Sequence, residues 1–309
     1  MREPILITGS HRSGTTWIGQ TLSISPEVAL INEPFSPLTY KLYRGRCTSK
    51  FKYWHTYITE KNEHLYYEGL RKTLKFNYAF WEQIFLEKSY KNIKFTFKEQ
   101  LQFLYFKKKK LVPLLKDPLA ILSADWVSRK FNARTVVLVR HPAAFCHSIK
   151  RLGWRYDFSE LFNQTLLMQD FLSPFEKEIL NHLQPDTDII ERASLIWKIL
   201  YFVALSYKDK NPSWIYKRYE DIALNPVSDF RELFNQLNLC FSQPVENYIQ
   251  DFTNTSNPTK ASGSDWAFRK RNSRENIMRW KKELDIQEIT KIRNSVEEIS
   301  HYFYRNEDW

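Results

Sequence analysis

Cysteine is scarce: Cys47, Cys146 and Cys240 are three, an odd number, far apart and without CxxC spacing. That pattern argues against a disulfide framework or a thiolate zinc site and fits a reducing compartment, so a cytoplasmic location is expected. No run approaches 18 consecutive apolar residues, and no membrane span is expected. Met1 to Pro4 leads directly into an apolar stretch rather than a targeting signal. Glycine totals only 7. With no Pro/Gly-rich linker, low-complexity tract or internal repeat, a single domain over 1–309 is the simplest organisation. Acidic residues are outnumbered, 35 Asp+Glu against 46 Lys+Arg, for a formal charge of +11. The partner is thereby expected to be anionic: nucleic acid, membrane surface, nucleotide or acidic glycan.

What is present is ordinary globular composition, 43% hydrophobic and 26% charged, with a high aromatic share of 16%. Short β-branched runs alternate with helical patterns, the signature of an α/β fold with a parallel sheet and crossover helices. The runs Pro4 to Thr8, Val28 to Asn32, Leu111 to Lys116, Thr135 to Val139 and Trp214 to Arg218 are the expected strands. Ile189, Ala193, Ile196, Trp197, Leu200, Val203 and Ala204 recur at helical spacing, so Thr187 to Tyr207 is expected to be a helix with a buried, purely core-forming face. Residues at about 40–110 break the alternation, being aromatic, Lys-rich and helical in pattern. They are expected to form an insertion after the second strand, over a ligand pocket. Tyr53, Trp54, His55, Trp81 and Trp154 could stack on a sugar, but core packing is the commoner fate of such residues.

Gly9-Ser10-His11-Arg12-Ser13-Gly14-Thr15-Thr16-Trp17 follows the first strand and opens a helix. Backbone N–H groups in such a loop, together with the helix N-terminus, cradle a phosphate. Gly9 and Gly14 have Walker A spacing, yet Thr15 stands where that motif needs Lys. ATP or GTP cleavage is therefore disfavoured, and Arg12 can supply the cation. A second strand end, Arg140-His141-Pro142, is followed eight residues after Arg140 by Ser148. Arg140 suits bidentate phosphate pairing, and Pro142 suits the first turn of a helix.

These two motifs resemble the phosphate sites of sulfotransferases that use 3′-phosphoadenosine 5′-phosphosulfate (PAPS). The resemblance implies a P-loop-like three-layer fold with a central, mainly parallel five-stranded sheet flanked by helices. It implies that Arg12, Ser13, Gly14, Thr15, Thr16 and Trp17 hold the 5′-phosphosulfate, and that Arg140 and Ser148 hold the 3′-phosphate. Tyr219, in Tyr216-Lys217-Arg218-Tyr219, matches a tyrosine that approaches the adenine. Arg269, Lys270 and Arg271 resemble the basic loop that closes over the nucleotide, although Arg271-Asn272 stands where the family usually places glycine near the basic pair.

In-line sulfuryl transfer needs a base at the acceptor hydroxyl and cations on the sulfonate and leaving phosphate; nothing in that list requires a metal. Glu33, in Asn32-Glu33-Pro34-Phe35 after the second strand, stands where carbohydrate-type sulfotransferases place their carboxylate base. Lys116, at the end of the third strand, is the expected cation on the bridging oxygen, alongside Arg12. Asp117 is the reserve base, since no His follows Lys116 as in small-molecule sulfotransferases, and His11 is a third candidate. The acceptor is a hydroxyl-bearing molecule, possibly a sugar or glycan, rather than nucleic acid. The alternatives are a P-loop kinase or NTPase and a non-enzymatic binder of nucleic acid or glycan, which would show steep salt dependence.

Overall fold

The computed structural model describes residues 2–184, 186–254 and 277–309. Five strands, β1 (Ile5–Gly9), β2 (Val28–Asn32), β3 (Val112–Lys116), β4 (Arg134–Val139) and β5 (Ile215–Arg218), form one sheet in the order β2-β3-β1-β4-β5. Every pairing is parallel. Parallel strands covered on both faces read as continuous apolar runs, which is why the first four strands were legible to within a residue or two; the edge strand β5, Ile-Tyr-Lys-Arg, is half-buried throughout. Alternation along them sorts the core: Leu6, Ala29, Ile31, Leu115, Val137 and Val139 feed one face, and Ile5, Ile7, Val28, Leu114, Val136 and Leu138 the other.

On the first face lie α6 (Ala124–Phe131), α7 (Pro142–Leu152), α8 (Ile189–Ser206) and the C-terminal α12 (Ile286–Ser300), with aromatic residues from 51–76. On the second lie α1 (Thr15–Leu22), α9 (Tyr219–Leu224), α10 (Pro226–Gln236) and α11 (Gln243–Phe252). The result is three layers. Between β2 and β3 the chain forms α2 (Pro37–Leu42), α3 (Tyr67–Leu74), α4 (Phe80–Ile84) and α5 (Tyr90–Lys108), separated by irregular backbone. Among the described residues no helix is long and apolar enough to cross a membrane.

From β1 the chain runs to the β2 edge, returns through β3, then crosses to β4. The order thus reverses around β1, and the crevice at the C-terminal ends of β1, β3 and β4 is where ligands of open parallel sheets bind. Local chemistry fixes what projects there. Pro142 opens α7 while His141 Nδ1 accepts from the Ala143 N–H, and Gly153 closes the helix at φ 61. Asp117 caps the 3₁₀ turn Pro118–Ser123.

Candidate active site

The loop after β1 is tied down at its root. Tyr201 of α8 reaches across so that its hydroxyl accepts from the Ser10 N–H at 3.2 Å and donates to the Leu138 carbonyl at 2.8 Å. Ser13 Oγ donates to the Ser10 carbonyl at 2.7 Å. At the crest the backbone turns left-handed, with Arg12 at φ 65 and Gly14 at φ 92. Gly14 is required twice over, because a Cβ there would also stand 2.4 Å from the Tyr219 ring. Thr15 and Thr16 then open α1, leaving the first-turn N–H groups at the crevice.

The two phosphate motifs meet directly. Arg12 Nε donates to Ser148 Oγ at 3.1 Å, and Arg140 Nη1 donates to the Arg12 carbonyl at 2.7 Å. Arg140 is 8% exposed and lies with its guanidinium 5.2 Å from the Tyr219 ring centroid. Its Nε has no hydrogen-bond partner among the described residues. A buried guanidinium with an open donor is a site that an anion completes, so the arrangement fits a phosphate. Tyr219 itself is 9% exposed, its ring lying against Trp17 and below Gly14. Trp17 is buried among Tyr219, Phe230 and Phe252, in the core that supports the loop.

Behind Arg140 stands a buried polar cluster. Trp197 Nε1 donates to the Arg140 carbonyl at 2.9 Å. The His141 N–H donates to Glu220 Oε1 at 3.0 Å, and the Tyr304 hydroxyl to Glu220 Oε2 at 2.9 Å. The His141 ring stacks on Trp280 at 4.7 Å, with Tyr304 and Trp309 edge-on. Burial pushes His141 down to about 3 and raises Glu220 above the usual carboxylate range.

The third part lies where β2 and β3 end. Their register pairs Asn32 with Lys116, so Glu33 emerges beside Lys116, and the two side chains form an ion pair. Lys116 is 3% exposed and Glu33 35%. Gly19 of α1 makes room for the lysine stem, since a Cβ there would stand 2.8 Å from Lys116 Cγ. Glu33, like Arg12, is a non-glycine residue in left-handed backbone, at φ 48. Such strained positions gather at functional sites.

Asp117 is fully buried, its oxygens accepting from the Phe35 N–H at 2.7 Å and the Leu119 N–H at 2.9 Å. Burial and the Glu33 charge push it up to about 8 against those two donors. Both of its oxygens are thus engaged, and it has no exposed surface.

His11 lies between these charged groups and a cluster of aromatic rings. Burial lowers it to about 4, with Lys116 and Arg12 adding to the effect and Glu33 opposing it. Its ring is met edge-on by Trp54 at 6.3 Å, His55 at 5.2 Å and Trp154 at 5.0 Å. Three of the five aromatic candidates thus converge beside the phosphate loop. Trp81 is instead 70% exposed on α4, and Tyr53 donates to the Asn163 carbonyl at 3.3 Å.

Arg269, Lys270 and Arg271 lie outside the described residues. Two contributors escaped the sequence pattern, Tyr201 and Trp197, both on a helix read as core alone. The available signal was that each carries a polar tip, and buried tips of that kind find partners.

A profile described as the sulfotransferase family matches residues 4–243. Among solved structures, the chain resembles the sulfotransferase domain from the curacin biosynthetic pathway at 13% identity, with a TM-score of 0.53 over 96% of this chain and 98% of that one. The sulfotransferase domain from the Synechococcus PCC 7002 olefin synthase is 14% identical, with a TM-score of 0.51 over 99% of this chain and 97% of that one. At such identities the likeness is one of fold. No curated protein sequence matches the chain. Sequence motifs, a five-stranded parallel sheet of the expected kind and a family match across 4–243 agree, and the chain belongs to the sulfotransferase family.

Proposed function

We propose that the protein transfers a sulfuryl group from PAPS to a hydroxyl of a carbohydrate or other small acceptor, without a metal ion. The observation that carries this is the junction of Arg12 with Ser148 and of Arg140 with the Arg12 carbonyl, which sets two anion-reading segments side by side. One segment then receives the 5′-phosphosulfate and the other the 3′-phosphate. PAPS, as donor substrate, brings a sulfur whose bond to the 5′-phosphate oxygen breaks as the acceptor oxygen bonds to it. The departing group is 3′,5′-bisphosphoadenosine.

The chain's own residues handle charge and proton. Glu33 takes the acceptor proton, and Arg12 and Lys116 meet the negative charge that grows on the leaving phosphate. In the structure Lys116 holds Glu33. A lysine that turns toward the leaving oxygen releases the carboxylate for the proton, so the pair couples the two events. His11, neutral at physiological pH, orients the acceptor rather than supplying a cation.

Calorimetry with 3′,5′-bisphosphoadenosine and 5′-AMP tests the donor assignment. Each charge-assisted hydrogen bond to the 3′-phosphate is worth about 1.5–3 kcal/mol, roughly 10- to 150-fold in affinity, and 5′-AMP forgoes it. Arg140→Ala should erase most of the difference. Equal affinities in the unmodified protein, or tighter binding of ATP than of the bisphosphate, would refute it.

A further inference from the structure

The helix α5 buries one face and, among the described residues, leaves an apolar face uncovered. Thr96, Glu99 and Phe103 face inward and are buried. At 100° per residue, Tyr90, Phe97, Leu101, Leu104 and Tyr105 fall within an arc of about 100° on the outer side. They are 82%, 52%, 67%, 48% and 54% exposed. The stripe continues onto α4, where Phe97 meets Phe80 at 4.9 Å and Phe80 meets the exposed Trp81 at 5.3 Å.

Along α5 the charges are of one sign, the nearby acids Glu82 and Glu87 belonging to the α4 segment. Residues 88–110 carry eight lysines and a single acid, Glu99. That acid is buried and paired with Arg46 at 2.5 Å, so it adds nothing to the outer face. Lys91, Lys94 and Lys98 are exposed along the edge of the stripe, and Lys108, Lys109 and Lys110 at its end. A second copy of this chain is a poor occupant, because a two-fold contact through this patch would set lysines against lysines. Aromatic rings with polar edges, flanked by long cationic stems, match the boundary of a bilayer with anionic headgroups.

We propose that the outer face of α5, with Trp81 of α4, is a docking surface for an anionic membrane. The rings enter the headgroup boundary, while the lysines reach the phosphates around them. The assignment is independent of the identity of the acceptor.

Co-sedimentation of the full chain with vesicles tests it, using phosphatidylcholine alone and phosphatidylcholine mixed with phosphatidylserine. The mixed vesicles should bind about tenfold or more tightly than the neutral ones, and raised salt should weaken them selectively. Leu101→Asp should reduce binding about tenfold, and Lys94→Gln with Lys98→Gln by about fivefold per lysine. Both variants should keep their melting midpoint and their affinity for bisphosphoadenosine. Equal binding to the two vesicles, no binding, or binding that neither variant weakens would overturn the proposal. So would a concentration-dependent dimer that Leu101→Asp dissociates in a chain that ignores vesicles, since the stripe would then belong to a second copy.

Discussion

Replacing Glu33 by Gln separates its proposed role as base from its role as counter-ion to Lys116. As a base, Glu33 is worth about 10² to 10⁴ in turnover, and the amide cannot take the proton. As a counter-ion, it neutralises Lys116, which is 3% exposed. Removing one partner of a fully buried pair costs about 3–5 kcal/mol. Glu33 is itself 35% exposed, so water and salt already screen the pair. A cost of about 1–2 kcal/mol is the expected figure after that discount.

The two effects part company in the double variant Glu33→Gln with Lys116→Met. Methionine fills the stem space beside Gly19 without a charge, so stability should return to within about 1 kcal/mol of the parent. Turnover should stay depressed, because neither base nor cation has been restored. Urea unfolding reads the first quantity, and single-turnover sulfuryl transfer, at saturating donor and acceptor, reads the second. If Glu33→Gln keeps turnover within about tenfold of the parent while folding and binding nucleotide, Glu33 is not the base, and Asp117, His11 or the acceptor's surroundings must manage the proton.

Two further outcomes follow from buried polar groups. His11 and His141 are held neutral, at about 4 and about 3, whereas an unfolded chain binds those protons near 6.5. Their contribution to stability is therefore complete above about 6.5 and is lost as pH falls toward 4 and 3. For the buried His141 the slope reaches about 1.4 kcal/mol per pH unit, and denaturant titrations across pH should show His141→Asn flattening that part of the curve. Asparagine keeps an acceptor for the first turn of α7, and an unchanged slope would refute the attribution. Tyr201→Phe leaves the Ser10 N–H and Leu138 carbonyl without their shared partner, at about 1–3 kcal/mol for each group. Urea unfolding and bisphosphoadenosine affinity should both fall, and a variant indistinguishable from the parent would show that water replaces the hydroxyl.

The sheet was legible because four of its strands are apolar runs, and each strand ends in or is followed by glycine or a charged residue. The strand ends in turn located Arg12, Glu33, Lys116 and Arg140, since side chains leaving a parallel sheet at its C-terminal edge share one crevice. The partnership of Glu33 with Lys116 was beyond a linear reading. It depends on β2 lying beside β3 in a register that sets Asn32 against Lys116 across more than eighty residues. Tyr201 and Trp197 were hidden for a related reason, since helical periodicity reports that a face is buried but not what its polar tips meet. Trp17 illustrates the converse: it belongs to the phosphate-loop motif by position, yet its ring packs beneath the loop among Tyr219, Phe230 and Phe252. The outer stripe of α5 was read only as aromatic and Lys-rich, because inner and outer apolar residues alternate too closely to separate without burial.

His141 immediately follows the arginine proposed to read the 3′-phosphate, and it is packed by Trp280, Tyr304 and Trp309, residues translated well over a hundred positions later. Chains are made from the N-terminus, and pairings of such sequence separation close late. The phosphate loop and most of the sheet can assemble while synthesis continues, but the wall behind Arg140 waits for segment 280–309. A nascent chain therefore passes through a stage in which the crevice proposed to take the nucleotide is half built. On that proposal, ligand-dependent protection from proteolysis should develop only after segment 280–309 has emerged and docked.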